Sequence, residues 1–131
     1  MKLSILIPVY NEANTISKLL KKVENVNLGN LKKEIIIIDD GSKDKTAMLV
    51  SKLADKYRNI RLIIHKKNQG KGAAIRTGIR YATGDIILIQ DADLEYNPKD
   101  YPKLIKPIID KKAKVVYGSR VLGRKHFNYS R

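Results

Sequence analysis

The chain has no cysteine and no tryptophan, and only two histidines and one phenylalanine among its 131 residues. Without cysteine there is no disulfide framework, no thiolate metal site and no cysteine nucleophile, and two histidines leave little for imidazole chemistry. Any metal must therefore be carried by carboxylates. No apolar run approaches the roughly 20 residues that cross a bilayer, and Met1-Lys2-Leu3-Ser4 leads straight into a strand instead of a signal peptide. The expectation is a single domain that is neither exported nor membrane-spanning, on the cytoplasmic side and in reach of a membrane face. Acids are also scarce, with 13 Asp+Glu against 27 Lys+Arg, a formal charge of +14. Such a balance suits an anionic partner, whether nucleic acid, a phosphorylated ligand or acidic lipid headgroups, and equally suits a plainly solvated surface. The lysines are spread along the chain and aromatic stacking platforms are few, so nucleic acid is not the expected partner.

What is present is a repeated alternation. Leu3 to Val9 reads as a first strand, with Asn11 as a helix N-cap, Glu12 at the positive end of the dipole, and Ile16, Leu19, Leu20 and Val23 at helical spacing. Ile35 to Ile38 gives a second strand, Thr46, Ala47, Val50, Leu53, Ala54 and Tyr57 a second helix, and Ile60 to Ile64 a third strand. Ala73 to Ala82 makes a small-residue helical face, Ile86 to Ile89 a strand buried on both faces, and Asn97-Pro98 a cap before an amphipathic helix that Pro102 and Pro107 disturb, with a kink expected at Pro107. Val115 to Tyr117 forms a short fifth strand, after which the chain turns basic and irregular. This is the pattern of βαβ units in an α/β fold, a mostly parallel sheet between helical layers.

Three strand ends carry chemistry: Tyr10-Asn11-Glu12, Asp39-Asp40 and Asp91-Ala92-Asp93. Parallel strands share one direction, so their exits converge on one edge, where open α/β sheets bind ligands. Carboxylates at the end of a buried strand are costly unless a cation or hydrogen-bond donors meet them. Asp91 and Asp93, with Glu95 continuing the alternation, therefore read as a site for Mg²⁺ or Mn²⁺ and a diphosphate, since hard cations bind through one or two carboxylates plus substrate phosphates. Gly70-Lys71-Gly72 at a helix start offers backbone N–H groups and an ammonium to an anion. The full phosphate-loop pattern is absent, as is a glycine-rich dinucleotide fingerprint after the first strand.

Pro8-Val9-Tyr10-Asn11-Glu12, Asp39-Asp40-Gly41-Ser42, Asn68-Gln69-Gly70-Lys71-Gly72, Asp91-Ala92-Asp93-Leu94 and Gly118-Ser119-Arg120, in this order, resemble the inverting family-two glycosyltransferases of the GT-A fold, in particular the polyprenyl-phosphate hexose synthases. The resemblance covers essentially all of residues 1–131. It implies a Rossmann-like three-layer αβα domain that binds a nucleoside-diphosphate hexose of the UDP-glucose or GDP-mannose class. Pro8, Tyr10, Glu12 and Asp40 would line the base and ribose pocket, with Ile38, Lys71 and Ala92 also touching the nucleotide sugar. Asp91 would face the donor, Asp93 with Glu95 would hold the metal on the diphosphate, and Arg120 would face a donor or acceptor phosphate. The implied acceptor is a polyprenyl (dolichyl) phosphate, with a saccharide hydroxyl as the alternative. A non-catalytic basic module docking on nucleic acid or membrane is the reading of another class. The absence of a capping element after Arg131 suggests a sequence that stops inside a longer protein, truncated at its C-terminus.

Overall fold

The computed structural model describes residues 1–92, 97–111, 115–117 and 120–121, and for residues from 107 onward the backbone only. The elements alternate as β1 (Lys2–Val9), α1 (Ile16–Asn25), β2 (Lys32–Asp39), α2 (Thr46–Lys56), β3 (Ile60–Ile64), α3 (Lys71–Tyr81), β4 (Ile86–Ile89), a 3-10 turn (Pro98–Asp100), α4 (Tyr101–Lys111), β5 (Val115–Tyr117) and β6 (Arg120–Val121). They form one six-stranded sheet of order β3-β2-β1-β4-β5-β6. All pairs are parallel except the last, where β6 runs antiparallel to β5.

The period of two in each strand builds the three layers. Leu3, Ile5, Ile7 and Val9 of β1, with Ile35 and Ile37 of β2 and Leu88 of β4, face Ile16, Leu19, Leu20 and Val23 of α1, Val50 of α2, and Tyr101 and Ile105 of α4. The intervening residues Leu6, Ile36, Ile38 and Ile89 face the opposite layer, which is α3 through Ala74 and Ile75. Helix α3 lies close because Gly78 offers no side chain: a Cβ there would sit 2.8 Å from Ile38 Cδ1 and 3.0 Å from Leu6 Cδ1. The small-residue face of this helix is thus a packing requirement.

Helix ends depart from the expectation in two places. Asn11 does not cap α1, which begins five residues later. Asn11 instead adopts a left-handed conformation (φ 53°), tolerated by a short polar side chain, and its Oδ1 accepts the Lys43 N–H at 2.8 Å. The C-terminus of α1 is closed from outside by Lys33, whose Nζ donates to the carbonyls of Val23 (3.0 Å), Glu24 (2.5 Å) and Val26 (2.8 Å). Burial pulls the Lys33 ammonium below its ordinary pKa, and nearby Glu24 offsets part of that. Asn97 does act as a cap, accepting the Lys99 N–H at 3.0 Å, and the 3-10 turn it starts runs into α4. Helix α4 continues through both of its prolines. Pro102 stands in the first turn, where no intrahelical donor is needed, and Pro107 does not end the helix.

Candidate functional site

Going out from β1, the sheet adds β2 and β3 on one side and β4, β5 and β6 on the other. The strand order reverses between β1 and β4, and the crevice beyond the carboxyl ends of these strands is the natural ligand site of an open α/β sheet. A cavity of about 520 Å³ lies there, walled by Pro8, Val9, Tyr10 and Glu12 after β1, Asp40 after β2, Asn68, Gly70, Lys71 and Ala74 around the start of α3, and Asp91 with Ala92 after β4.

The β1 exit is stitched to the β2 exit by backbone donors. The Asn11 N–H donates to Ser42 Oγ (2.8 Å), Glu12 N–H to Thr46 Oγ1 (2.9 Å), and Ala13 N–H to Asp44 Oδ2 (3.3 Å). Asp44 Oδ1 accepts the Thr46 hydroxyl (2.5 Å) and the Thr46 N–H (2.9 Å), and these, the hydroxyl first, with the Ala13 N–H hold its carboxyl below the usual range. Asp39, 1% exposed, turns the chain by accepting the Ser42 N–H. Gly41 follows with φ 77°, and a Cβ there would meet Asn68 N at 2.6 Å and the Lys67 carbonyl carbon at 2.8 Å. The β2 exit and the loop before α3 touch backbone to backbone, which only glycine permits.

Asp40 is the hub of the cleft. Its Oδ1 accepts the Gln69 N–H (2.9 Å) and faces His65 Nδ1 (2.8 Å), and its Oδ2 accepts the Gly70 N–H (2.8 Å). Burial raises its pKa, but the Gln69 N–H, His65 and Gly70 N–H outweigh that and hold the carboxyl below the ordinary carboxylate range. Of the loop N–H groups that the sequence offers to an outside anion, that of Gly70 is therefore taken by an internal one. Lys71 reaches across the cleft to form an ion pair with Asp91 Oδ1, both groups being partly exposed. On the far wall, Thr15 Oγ1 donates to the Ala92 carbonyl (3.3 Å), and the buried Tyr101 hydroxyl donates to Gln90 Oε1 (2.6 Å), which ties β4's exit to α1 and α4.

Of the residues the sequence singles out, Pro8, Tyr10, Glu12, Asp40, Lys71, Asp91 and Ala92 share this one cavity. The Ile38 side chain does not: it is fully buried in the layer beneath α3. Asp93 and Glu95 lie outside the described residues, and of Arg120 only the backbone, at the start of β6, is described. Among the described residues no group of three or more His, Asp or Glu forms a metal site. Sequence reasoning passed over Asn68 as a wall of the cavity, and His65 and Thr77 behind Asp40. The available signal was the placement of His65 directly after the apolar run of β3.

Residues 4–130 match the profile of Glycosyl transferase family 2. A dolichol-phosphate mannosyltransferase of Pyrococcus furiosus is 37% identical over 108 residues, covering 82% of this chain and 30% of that protein. Dolichyl-phosphate beta-glucosyltransferase ALG5D of Trichomonas vaginalis is 36% identical over 129 residues, covering 91% of this chain and 39% of that protein. Among solved structures, the mannosyltransferase PcManGT of Pyrobaculum calidifontis, in complex with GDP-Man and Mn²⁺, superposes with a TM-score of 0.68 at 30% identity, over 75% of this chain and 29% of that one. The fold is GT-A-like, and the chain belongs to glycosyl transferase family 2. It spans 30% and 39% of the length of these two curated relatives. No helix among the described residues is long and apolar enough to cross a membrane.

Proposed function

We propose that the cleft binds a nucleoside-diphosphate hexose and that the protein transfers the hexose, with inversion, to a polyprenyl phosphate. The observation that carries this reading is the convergence of Tyr10, Glu12, Asp40, Lys71 and Asp91 on one cavity at the switch point of the sheet. In this reading Pro8, Tyr10, Glu12 and Asp40 take the base and ribose, and Ala92 and Asp91 meet the diphosphate and hexose. Lys71 exchanges its contact with Asp91 for the diphosphate, which offsets charge as the leaving group departs. The anomeric C–O bond to the diphosphate breaks with its electron pair leaving on oxygen, while an acceptor phosphate oxygen forms the new bond from the opposite face. A phosphate monoester, with a second pKa of roughly 6, is mostly ionised at neutral pH and needs no general base. Arg120 is assigned to an acceptor or donor phosphate.

The β4 exit fits a cation, since Asp91 already holds an ammonium there. Asp93 with Glu95 would hold Mg²⁺ or Mn²⁺, which supplies Lewis-acid neutralisation of the diphosphate when bound. The polyprenyl phosphate as acceptor is supported by the names of the curated relatives, and a peripheral position on an anionic membrane face by the net charge. Isothermal titration calorimetry of UDP and GDP, each with and without Mn²⁺, against the chain and its Asp93→Ala variant tests the reading. Metal-dependent binding of one nucleotide, lost in the variant, is expected. Absence of binding to a folded chain overturns the donor assignment for these residues.

A further inference from the structure

We infer that His65 is the positioning residue of the donor cleft, locking the carboxylate at its base end and the helix that carries its cation into one arrangement. The inference rests on the donor-binding reading above. His65 directly follows β3, and its backbone N–H donates to the Asp39 carbonyl at 2.9 Å, so the ring is anchored beside the β2 exit. The ring is nearly buried and contacted at both nitrogens: Nδ1 lies 2.8 Å from Asp40 Oδ1 and Nε2 lies 2.9 Å from Oγ1 of the buried Thr77. Asp40 is an ionised acceptor, so Nδ1 carries the proton. In the neutral ring Nε2 then accepts from the Thr77 hydroxyl.

This bridge joins two parts of the cleft. On one side is Asp40, whose carboxylate has about four acceptor sites. The chain fills three of them with Gln69 N–H, Gly70 N–H and His65, which leaves one acceptor site on Oδ2 of a residue that lines the cavity. On the other side is α3, where Thr77 stands one residue before Gly78, the close-packing point on the sheet, and six residues after Lys71. Removing the imidazole takes one of its three partners from Asp40 and the Thr77 link from α3, which leaves the carboxylate held by the Gln69 and Gly70 N–H groups alone, so both the base contact and the reach of Lys71 to Asp91 loosen together. A side chain with an N–H at the place of Nδ1 preserves the first link.

The test compares His65→Ala, His65→Asn and Thr77→Val with the wild-type chain by titration with whichever of UDP and GDP the wild type binds. Circular dichroism verifies the fold of each variant. His65→Ala is expected to weaken the nucleotide by about tenfold or more, the scale of a lost hydrogen bond to a charged group. His65→Asn, whose amide N–H can meet Asp40, should recover most of that, and Thr77→Val should cost only about two- to threefold, since the contact with Asp40 stays. Amide hydrogen exchange supplies a reading that needs no ligand: protection of the Gln69 and Gly70 N–H groups should fall in His65→Ala and persist in His65→Asn. If the wild type binds neither nucleotide the donor assignment fails, and the exchange comparison alone then decides the positioning role. Equal affinity in wild type and His65→Ala, or His65→Asn as weak and as unprotected as His65→Ala, overturns it.

Discussion

A hydrogen-bonded carboxylate stands near the start of β2 and another directly after its end, and the two do opposite things. Near its start, Glu34 accepts from Ser4 Oγ (2.6 Å), Thr83 N–H (2.9 Å) and Thr83 Oγ1 (2.8 Å), while Gly84 N–H donates to Ser4 Oγ (2.8 Å). The turn into β4 is thereby clamped onto β1 and β2. At its far end, Asp40 accepts as many hydrogen bonds, yet it walls a cavity of about 520 Å³. The difference lies in where the partners come from. Glu34 is held by a strand residue and a tight turn that pack directly on β2, so the donors close over it. Asp40 is held by the loop between β3 and α3, which must arch over the edge of the sheet and leaves space beneath. A hydrogen-bonded carboxylate at a strand end is thus a staple at one edge and a binding wall at the other.

The glycine beside each end gives the sharpest way to break this comparison. Gly41→Ala places a Cβ against backbone atoms of Lys67 and Asn68 in a positive-φ conformation and is expected to cost about 3 kcal/mol and to abolish nucleotide binding. Gly84→Ala meets Ser4 Oγ at 2.5 Å and Ser4 N at 2.8 Å and should cost a similar amount while leaving affinity intact in the folded fraction. Urea unfolding with and without nucleotide separates the two. Equal loss of affinity in both variants would sink the division of labour between the edges.

The carboxylates themselves give a smaller effect. Asp40→Asn should lower nucleotide affinity about tenfold and stability by about 1–2 kcal/mol. Glu34→Gln should lower stability by about 1 kcal/mol with affinity unchanged, read by the same titrations.

Acid should act on both alike, and more gently. Burial raises the pKa of Glu34, but Ser4, Thr83 and Lys2 together hold it below the ordinary range, as the loop N–H groups and His65 hold Asp40. Both groups are depressed in the folded chain, so their stabilisation is whole above about pH 4 and is lost as pH falls through the lowered values. Stability measured by urea midpoint should decline below about pH 4, with a shallower decline in each single variant and the shallowest in the double variant. The smallest effect on folding belongs to Lys71→Met, which breaks a partly exposed ion pair. It should change stability by at most about 0.5 kcal/mol while weakening diphosphate binding several-fold at low salt.

Much of the architecture was legible because it rests on local chemistry. Runs such as Ile35 to Ile38 and Ile86 to Ile89 can satisfy their side chains only between two helical layers, and polar exits after parallel strands must share an edge. That reasoning puts Tyr10, Asp40 and Asp91 on one edge, and the family resemblance adds Lys71 to them. It misjudged Asn11, whose type suits a cap, because Ser42 and Lys43 from the neighbouring loop offer it better partners. It also spent the Gly70 N–H on an outside anion, although Asp40, thirty residues earlier, already occupies it. Ile38 illustrates the period-two limit: one residue from Asp39, it points into the layer beneath α3.

The sequence by itself determined the alternation of strands and helices, the parallel sheet and the edge on which the acids gather, since these follow from side-chain period, burial and strand direction. Only the tertiary structure decided which acids face the cavity and which are held by the chain. It alone paired His65 with Asp40 and Thr77, and Lys71 with Asp91. Those assignments depend on distances of a few ångströms between loops that are far apart along the chain, and such distances are set by how the layers pack.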